Sequence, residues 1–324
     1  MGYQTVEKIV MESAGLSETY FHTMMRLMGE NPDVMELEAD LGVCILGGGY
    51  KEMEETYPGQ LFNCGIQEAN MVGVACGLSA VGKVPFCHTF SPFLARRAND
   101  QIFISACYAG ANIRLVGSDP GVMAAFNGGT HMPFEDVAAV RAFPGLTIVE
   151  PTDSAMLVNL LEQLVTLKGV YYLRMARKPM AKIYQDGSTF TIGKGCVIRE
   201  GSDATIVASG LMVADAVEAA DMLAAQGLHA RVVDMFTIKP IDGELLTVCA
   251  RETGAVVTAE NHNVIGGLGS AVCEVLSSTC PVPVERVGVQ DRFGEVGPID
   301  YLKETLGLTP AAIAEAVKRA VARK

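Results

Sequence analysis

Apolar positions along this chain follow two periods, and the period changes again and again. Near the start, Tyr20, Thr23, Met24, Leu27 and Met28 recur at helical spacing. The run closes at Glu30-Asn31-Pro32, so residues 1–31 are expected to be helical. Val34-Met35-Glu36-Leu37 then alternates as a strand. Further strands are expected over 83–90, 113–117, 146–149 and 170–174, with helices over 91–108, 135–141 and 154–167 between them. A polar, Gly-containing stretch follows. After it the alternation resumes, with strands at 204–208, 229–235, 255–259 and 283–289 and helices at 213–226, after Gly266-Gly267-Leu268-Gly269, and at 310–322.

Strand and helix in regular alternation imply a parallel, doubly wound α/β sheet. The reading divides the chain into a first domain over residues 1–184, a linker over 185–194 and a smaller α/β domain over 195–324.

Composition narrows the function. The chain has 324 residues, 49 % of them hydrophobic and 19 % charged, as expected of a soluble α/β protein. Its net charge of −12 argues against nucleic acid, whose phosphates need a basic surface. No apolar run is long enough for a membrane span, and the first residues do not read as a signal peptide. The nine cysteines are dispersed, without a CxxC pair, so a zinc site is not expected and a reducing cytoplasm is.

Chemistry gathers in four stretches. The first is Gly65-Ile66-Gln67-Glu68, leading into the small-residue run Val72-Gly73-Val74-Ala75-Cys76-Gly77. Glycine and small side chains allow close packing there, and burial disfavours the charged form of a carboxylate such as Glu68. The second runs from His88 through Phe90, Phe93, Arg96 and Arg97 to Gln101. The third is Asn127-Gly128-Gly129-Thr130-His131-Met132-Pro133, and the fourth is Leu173-Arg174-Met175-Ala176-Arg177-Lys178. The Gly266–Gly269 run lacks GxGxxG spacing and reads as a structural helix start.

In this order and spacing the four stretches resemble the C-terminal half of transketolase, over nearly all of the chain. The resemblance implies a thiamine-diphosphate-binding fold followed by a transketolase C-terminal domain. It implies ketol transfer: a two-carbon unit passed from a ketose or ketose phosphate to an aldose (EC 2.2.1 class). In the family a glutamate at the position of Glu68 bonds the cofactor's aminopyrimidine and activates it. The implied cofactor set is Glu68, Phe90, Phe93 and Arg96, with Phe93 stacking on the pyrimidine. The implied substrate set is Asp119, Asn127, His131 and Arg177, with His131 also catalytic and Arg177 holding a phosphate. Arg174 reads as structural.

The chain departs from the family at several of these places. Asp119 stands where a histidine is usual, Asn127 where an aspartate is, Ser17 where an arginine is, and Cys44 where a serine is. Cofactor-side residues are kept and substrate-side residues are changed. A carboxylate at 119 beside a phosphate reverses the local charge. The resemblance therefore points away from ordinary phosphopentoses, toward a dephosphorylated, branched or otherwise modified sugar.

The family's GDG motif and Asn-rich follow-up are missing; only Gln185-Asp186-Gly187 comes near. No metal ligand is expected on this chain. The resemblance implies a separate N-terminal subunit that holds the diphosphate and Mg2+ (or another divalent cation), in a heterotetramer built round a homodimer of this chain. Two other readings stay open at this point: the beta subunit of a 2-oxo acid dehydrogenase, and a non-catalytic homologue that regulates a partner.

Overall fold

The computed structural model describes residues 2–324. Its first sheet has seven strands in the order Thr237–Lys239, Leu146–Val149, Val170–Met175, Ile113–Ser118, Val84–Phe90, Val34–Glu38 and Leu61–Asn63. All neighbours are parallel except Thr237–Lys239, which runs antiparallel to Leu146–Val149. Helices cover both faces, so Ile113–Ser118 and Val170–Met175 are buried along their whole lengths. On one face the helices Leu16–Glu30 and Ser154–Thr166 pack over Val34, Phe86, Val116 and Leu173. On the other, Glu68–Ala80 packs through Met71, Val72 and Ala75 against Leu37, Cys87 and Leu115.

The second sheet orders Val284–Val289, Val256–Asn263, Ala204–Ala208, Ala230–Asp234 and Cys196–Arg199, the last of them antiparallel. One hydrophobic core runs from the first sheet through Phe190 and Phe236 into this second unit.

Two local expectations need revision. Thr5–Met11 is a strand, paired antiparallel with Ala181–Tyr184, and the helix begins only at Leu16. The helical spacing all lay beyond Gly15, while Val6, Ile9 and Val10 favour a strand. Residues 91–108 do not form one regular helix; two wide-turned segments, Phe93–Arg97 and Ile102–Tyr108, flank a single α turn at Asn99–Gln101. The connector after residue 184 is packed, because Phe190 sits edge-on between Tyr184 and Phe236, with ring centroids 4.8 and 5.8 Å away.

The two units also share a buried polar seam. Arg174, 1 % exposed, donates to Asp136 at 2.8 Å, to Glu150 at 2.5 Å and to the Asn261 carbonyl at 2.8 Å. Ser209 donates to the other oxygen of Glu150 at 2.7 Å. A buried guanidinium survives only when its donors are satisfied in this way. Glu260 accepts from the N–H groups of Leu268 and Gly269 at 2.7 and 2.9 Å, and a Cβ at Gly267 would collide with its carboxylate. The Gly266–Gly269 run is thus a helix start built on close approach. Among the described residues no helix is long and apolar enough to cross a membrane.

Candidate active site

The site lies where loops leave the ends of the first sheet's parallel strands, the usual crevice of an open α/β sheet. Gly65 takes a φ of +74°, which favours glycine, and its N–H is held by the Asn63 side chain at 2.8 Å. That turn delivers Glu68 to the first turn of its helix, buried to 3 % exposure. Arg97 supplies the counter-charge: its Nη1 donates to Glu68 Oε1 at 2.8 Å.

The same guanidinium lies over Phe93, 4.0 Å from the ring centroid. Phe93 is half-buried, and its ring meets His131 edge-on at 5.1 Å and Phe90 at 5.8 Å. Phe90 also meets His131, at 5.9 Å, and lies beneath Arg177, whose guanidinium carbon is 4.9 Å from the ring centroid. Arg177 in turn donates from Nε to Asp119 at 2.7 Å and from Nη1 to the Cys44 carbonyl at 2.6 Å. Ser17 closes the line, its hydroxyl donating to the Arg177 carbonyl at 3.1 Å. Glu68, Arg97, Phe93, His131, Phe90, Arg177 and Asp119 are therefore one continuous run of contacts, with a carboxylate at one end and an ion pair at the other.

Backbone geometry at this site is unusual. Asp119 has φ +53° and Ala125 φ +46°, both in the region that disfavours a Cβ. Gly128 has φ +79°, and a Cβ on Gly129 would collide with the carbonyl of Gly294. This loop from the second unit presses on the first and fixes the turn that carries His131. Thr130 Oγ1 lies 2.9 Å from His131 Nδ1, leaving Nε2 for a substrate. Burial, and then the charges of Arg97 and Arg96, lower the pKa of His131, so the imidazole is neutral near pH 7.

Arg96 does not reach Glu68. It is tied to the Glu135 carboxylate and to the Thr130 carbonyl, the latter at 3.2 Å, and so braces the histidine turn. The neighbour Arg97 is the residue on Glu68, and the sequence reading missed it. Its position four residues after Phe93, one helical turn on, was the available signal. Asn127 is exposed on the turn before Gly128. Ser17, Glu18, His22, Glu52, Arg177 and Lys178 are among the residues that line a cleft of about 610 Å³ beside the ion pair.

A group that seats on Phe93 and hydrogen-bonds to a buried carboxylate must be flat and must carry an N–H donor. The Arg97 guanidinium has both properties and holds both contacts, so the donor set suits an aminopyrimidine.

Comparisons with known proteins identify the two domains. The model for the transketolase pyrimidine binding domain matches residues 13–181, and that for the transketolase C-terminal domain matches residues 193–313. A 6-deoxy-6-sulfo-D-fructose transketolase subunit, SqwH, of Clostridium sp. (strain MSTE9) is 46 % identical over 317 residues, 98 % of each chain. A putative transketolase C-terminal section of Methanocaldococcus jannaschii is 35 % identical, covering 94 % of this chain and 95 % of its own. Among solved structures, a split gene transketolase described as an inactive beta4 tetramer superposes with TM-score 0.88 at 42 % identity, over 97 % of this chain and all of the other.

Proposed function

The chain belongs to the transketolase family, with the two domains of a split transketolase's C-terminal subunit, and on that premise we propose that it carries the pyrimidine and sugar ends of a thiamine-diphosphate-dependent ketol transferase. The observation that supports this reading is the line of contacts from Glu68 through Arg97, Phe93, His131 and Phe90 to Arg177.

In this reading Glu68 and Phe93 hold the aminopyrimidine, and bound thiamine diphosphate supplies the nucleophilic carbon that carries the two-carbon unit. Glu68 holds a proton at the pyrimidine's ring nitrogen. His131, neutral and with Nε2 free, hydrogen-bonds the hydroxyl or carbonyl oxygen of the sugar near the bond that breaks. Phe90, buried beneath Arg177, excludes water between the two ends. Arg177 and Lys178 face the sugar's far end. The diphosphate and its divalent cation belong to a separate chain. The solved relative made of four beta copies is described as inactive, which supports that need for a partner.

The far end selects a weakly charged anion. Asp119 already partly neutralises Arg177, and Glu18 and Glu52 line the same cleft as Lys178 and add negative charge to it. Such a cleft tolerates a sulfonate, with one negative charge, better than a phosphate with nearly two. The 46 % identical relative is named for 6-deoxy-6-sulfo-D-fructose, a sugar of that kind. The test is kcat/KM of the chain reconstituted with a diphosphate-binding subunit, thiamine diphosphate and Mg2+. A preference for 6-deoxy-6-sulfo-D-fructose over fructose 6-phosphate supports the reading, and a preference for the phosphate refutes the substrate assignment.

A further inference from the structure

Arg97 touches both of the groups assigned to the pyrimidine, Glu68 and Phe93. Its Nη1 takes the Glu68 Oε1 at 2.8 Å, and its guanidinium carbon is 4.0 Å from the Phe93 centroid. A guanidinium is the open-chain counterpart of a protonated aminopyrimidine: planar, cationic, delocalised over C–N bonds and edged with N–H donors. We infer that Arg97 is the internal stand-in for the pyrimidine ring, so that cofactor binding is an exchange in which the ring displaces the guanidinium from Glu68 and Phe93. The inference rests on the thiamine diphosphate reading above.

The surroundings favour an exchangeable contact over a fixed one. Glu68 is 3 % exposed, and a buried carboxylate without a partner is costly, so the seat needs an occupant before the cofactor arrives. Arg97 can leave, because half of its side chain (51 %) faces solvent. Among the described residues its side chain makes no other hydrogen bond, whereas Arg96 is held at both Glu135 and Thr130. Arg97 is also the last residue of a wide-turned segment, where the backbone is less tightly laddered than in an α-helix. The exchange takes up one proton from solvent: the ring nitrogen of a neutral aminopyrimidine carries no hydrogen, so the proton that then lies between it and Glu68 replaces the guanidinium N–H. Departure of the Arg97 charge from beside His131 is a second consequence, since that charge helps depress the histidine.

The experiment is calorimetry of thiamine diphosphate with Mg2+ binding to the reconstituted complex, for wild type, Arg97→Met and Arg97→Lys. Methionine keeps the bulk but makes no pair with Glu68, and lysine keeps the pair but has no flat face. The exchange predicts that Arg97→Met binds the cofactor at least threefold more tightly than wild type, with Arg97→Lys in between. Affinity that is unchanged or weakened in Arg97→Met overturns it, the latter because Arg97 would then be a cofactor ligand. If Arg97→Met does not fold, a crystal structure of the wild-type complex with thiamine diphosphate decides: a guanidinium still on Glu68 and Phe93 overturns the proposal. Wild type that binds no thiamine diphosphate with its partner present refutes the reading of the site itself. Wild-type binding without the Arg97→Met gain refutes only the exchange.

Discussion

Asp119 holds Arg177 at two points: Oδ1 accepts the backbone N–H of Arg177 at 3.1 Å, and Oδ2 accepts its Nε at 2.7 Å. The arginine expected to bind a phosphate is thus partly neutralised before any substrate arrives. Asn at 119 tolerates the positive φ and removes the charge. Asp119→Asn is expected to raise kcat/KM for phosphorylated sugars about tenfold relative to sulfonated ones, about 1.4 kcal/mol of discrimination. Parallel assays of the two substrate classes on the reconstituted complex check this. An unchanged ratio removes Asp119 from the account of selectivity.

Glu68→Gln keeps the shape and one acceptor but cannot carry the proton. Exchange of the cofactor's carbon-2 proton, followed by NMR in the complex, is expected to slow at least ~100-fold. The thermal midpoint of the chain should barely move. Exchange at the wild-type rate would contradict the assignment.

His131→Asn is expected to lower kcat/KM by roughly 100-fold while leaving thiamine diphosphate affinity intact. Because burial, and then the charges of Arg97 and Arg96, lower the histidine pKa, loss of activity through this group should set in at lower pH than for an unperturbed histidine. A pH profile that falls between pH 7 and 6, and loses that fall in the mutant, would show the opposite.

Asp234 gives a pH signature in the seam between the units. Its Oδ2 accepts from Thr152 and Tyr184 at 2.6 and 2.8 Å, its Oδ1 has no partner, and burial pushes its pKa up to about 7. A raised carboxyl pKa means the folded chain holds a proton the unfolded chain has released. Its stabilisation is complete below the unfolded pKa, near 4, and is lost as pH rises through about 7. Wild type should therefore lose stability relative to Asp234→Asn as pH rises from 4 to 7, by about 1.4 kcal/mol per unit at most. Denaturant melts at several pH values measure the gap, and a gap that does not change with pH refutes the titration.

The helix Glu68–Ala80 is apolar all round, yet Gly73, Val74 and Gly77 are exposed, beside exposed Phe103, Ile104 and Tyr108. A Cβ at Gly77 meets nothing within 4 Å, so a larger residue fits the single chain. If two copies pair across this face, Gly77→Arg should yield folded monomer in sedimentation velocity where wild type sediments as a dimer or larger. A dimer persisting in Gly77→Arg places the interface elsewhere.

The main strands were legible because a buried parallel sheet is written in short apolar-rich segments such as Leu146–Val149 and Ala204–Ala208. The short edge strands Leu61–Asn63 and Thr237–Lys239 carry no such run, and their pairing depends on distant partners. The helix Gly243–Thr253 was missed although Asp242 caps it, accepting from Leu245 N–H at 3.1 Å; its polar face diluted the apolar period. At the site, it was the resemblance to transketolase that put Glu68, Phe90, Phe93, His131 and Arg177 in one neighbourhood. Charge pairing was not legible: Asp119 and Arg177 lie 58 positions apart, and only the fold shows that they neutralise each other.

The strand Thr237–Lys239 also dictates an order of events during synthesis. Leu146–Val149 is an inner strand only because this later segment covers it. Until that segment has left the ribosome, the nascent first sheet presents a bare Leu-Thr-Ile-Val edge, the kind of edge that recruits another chain. The first unit is therefore not a portable module. Fragments that stop near residue 184 would be born with that edge open, and chaperones would have to shield it until the closing strand arrived.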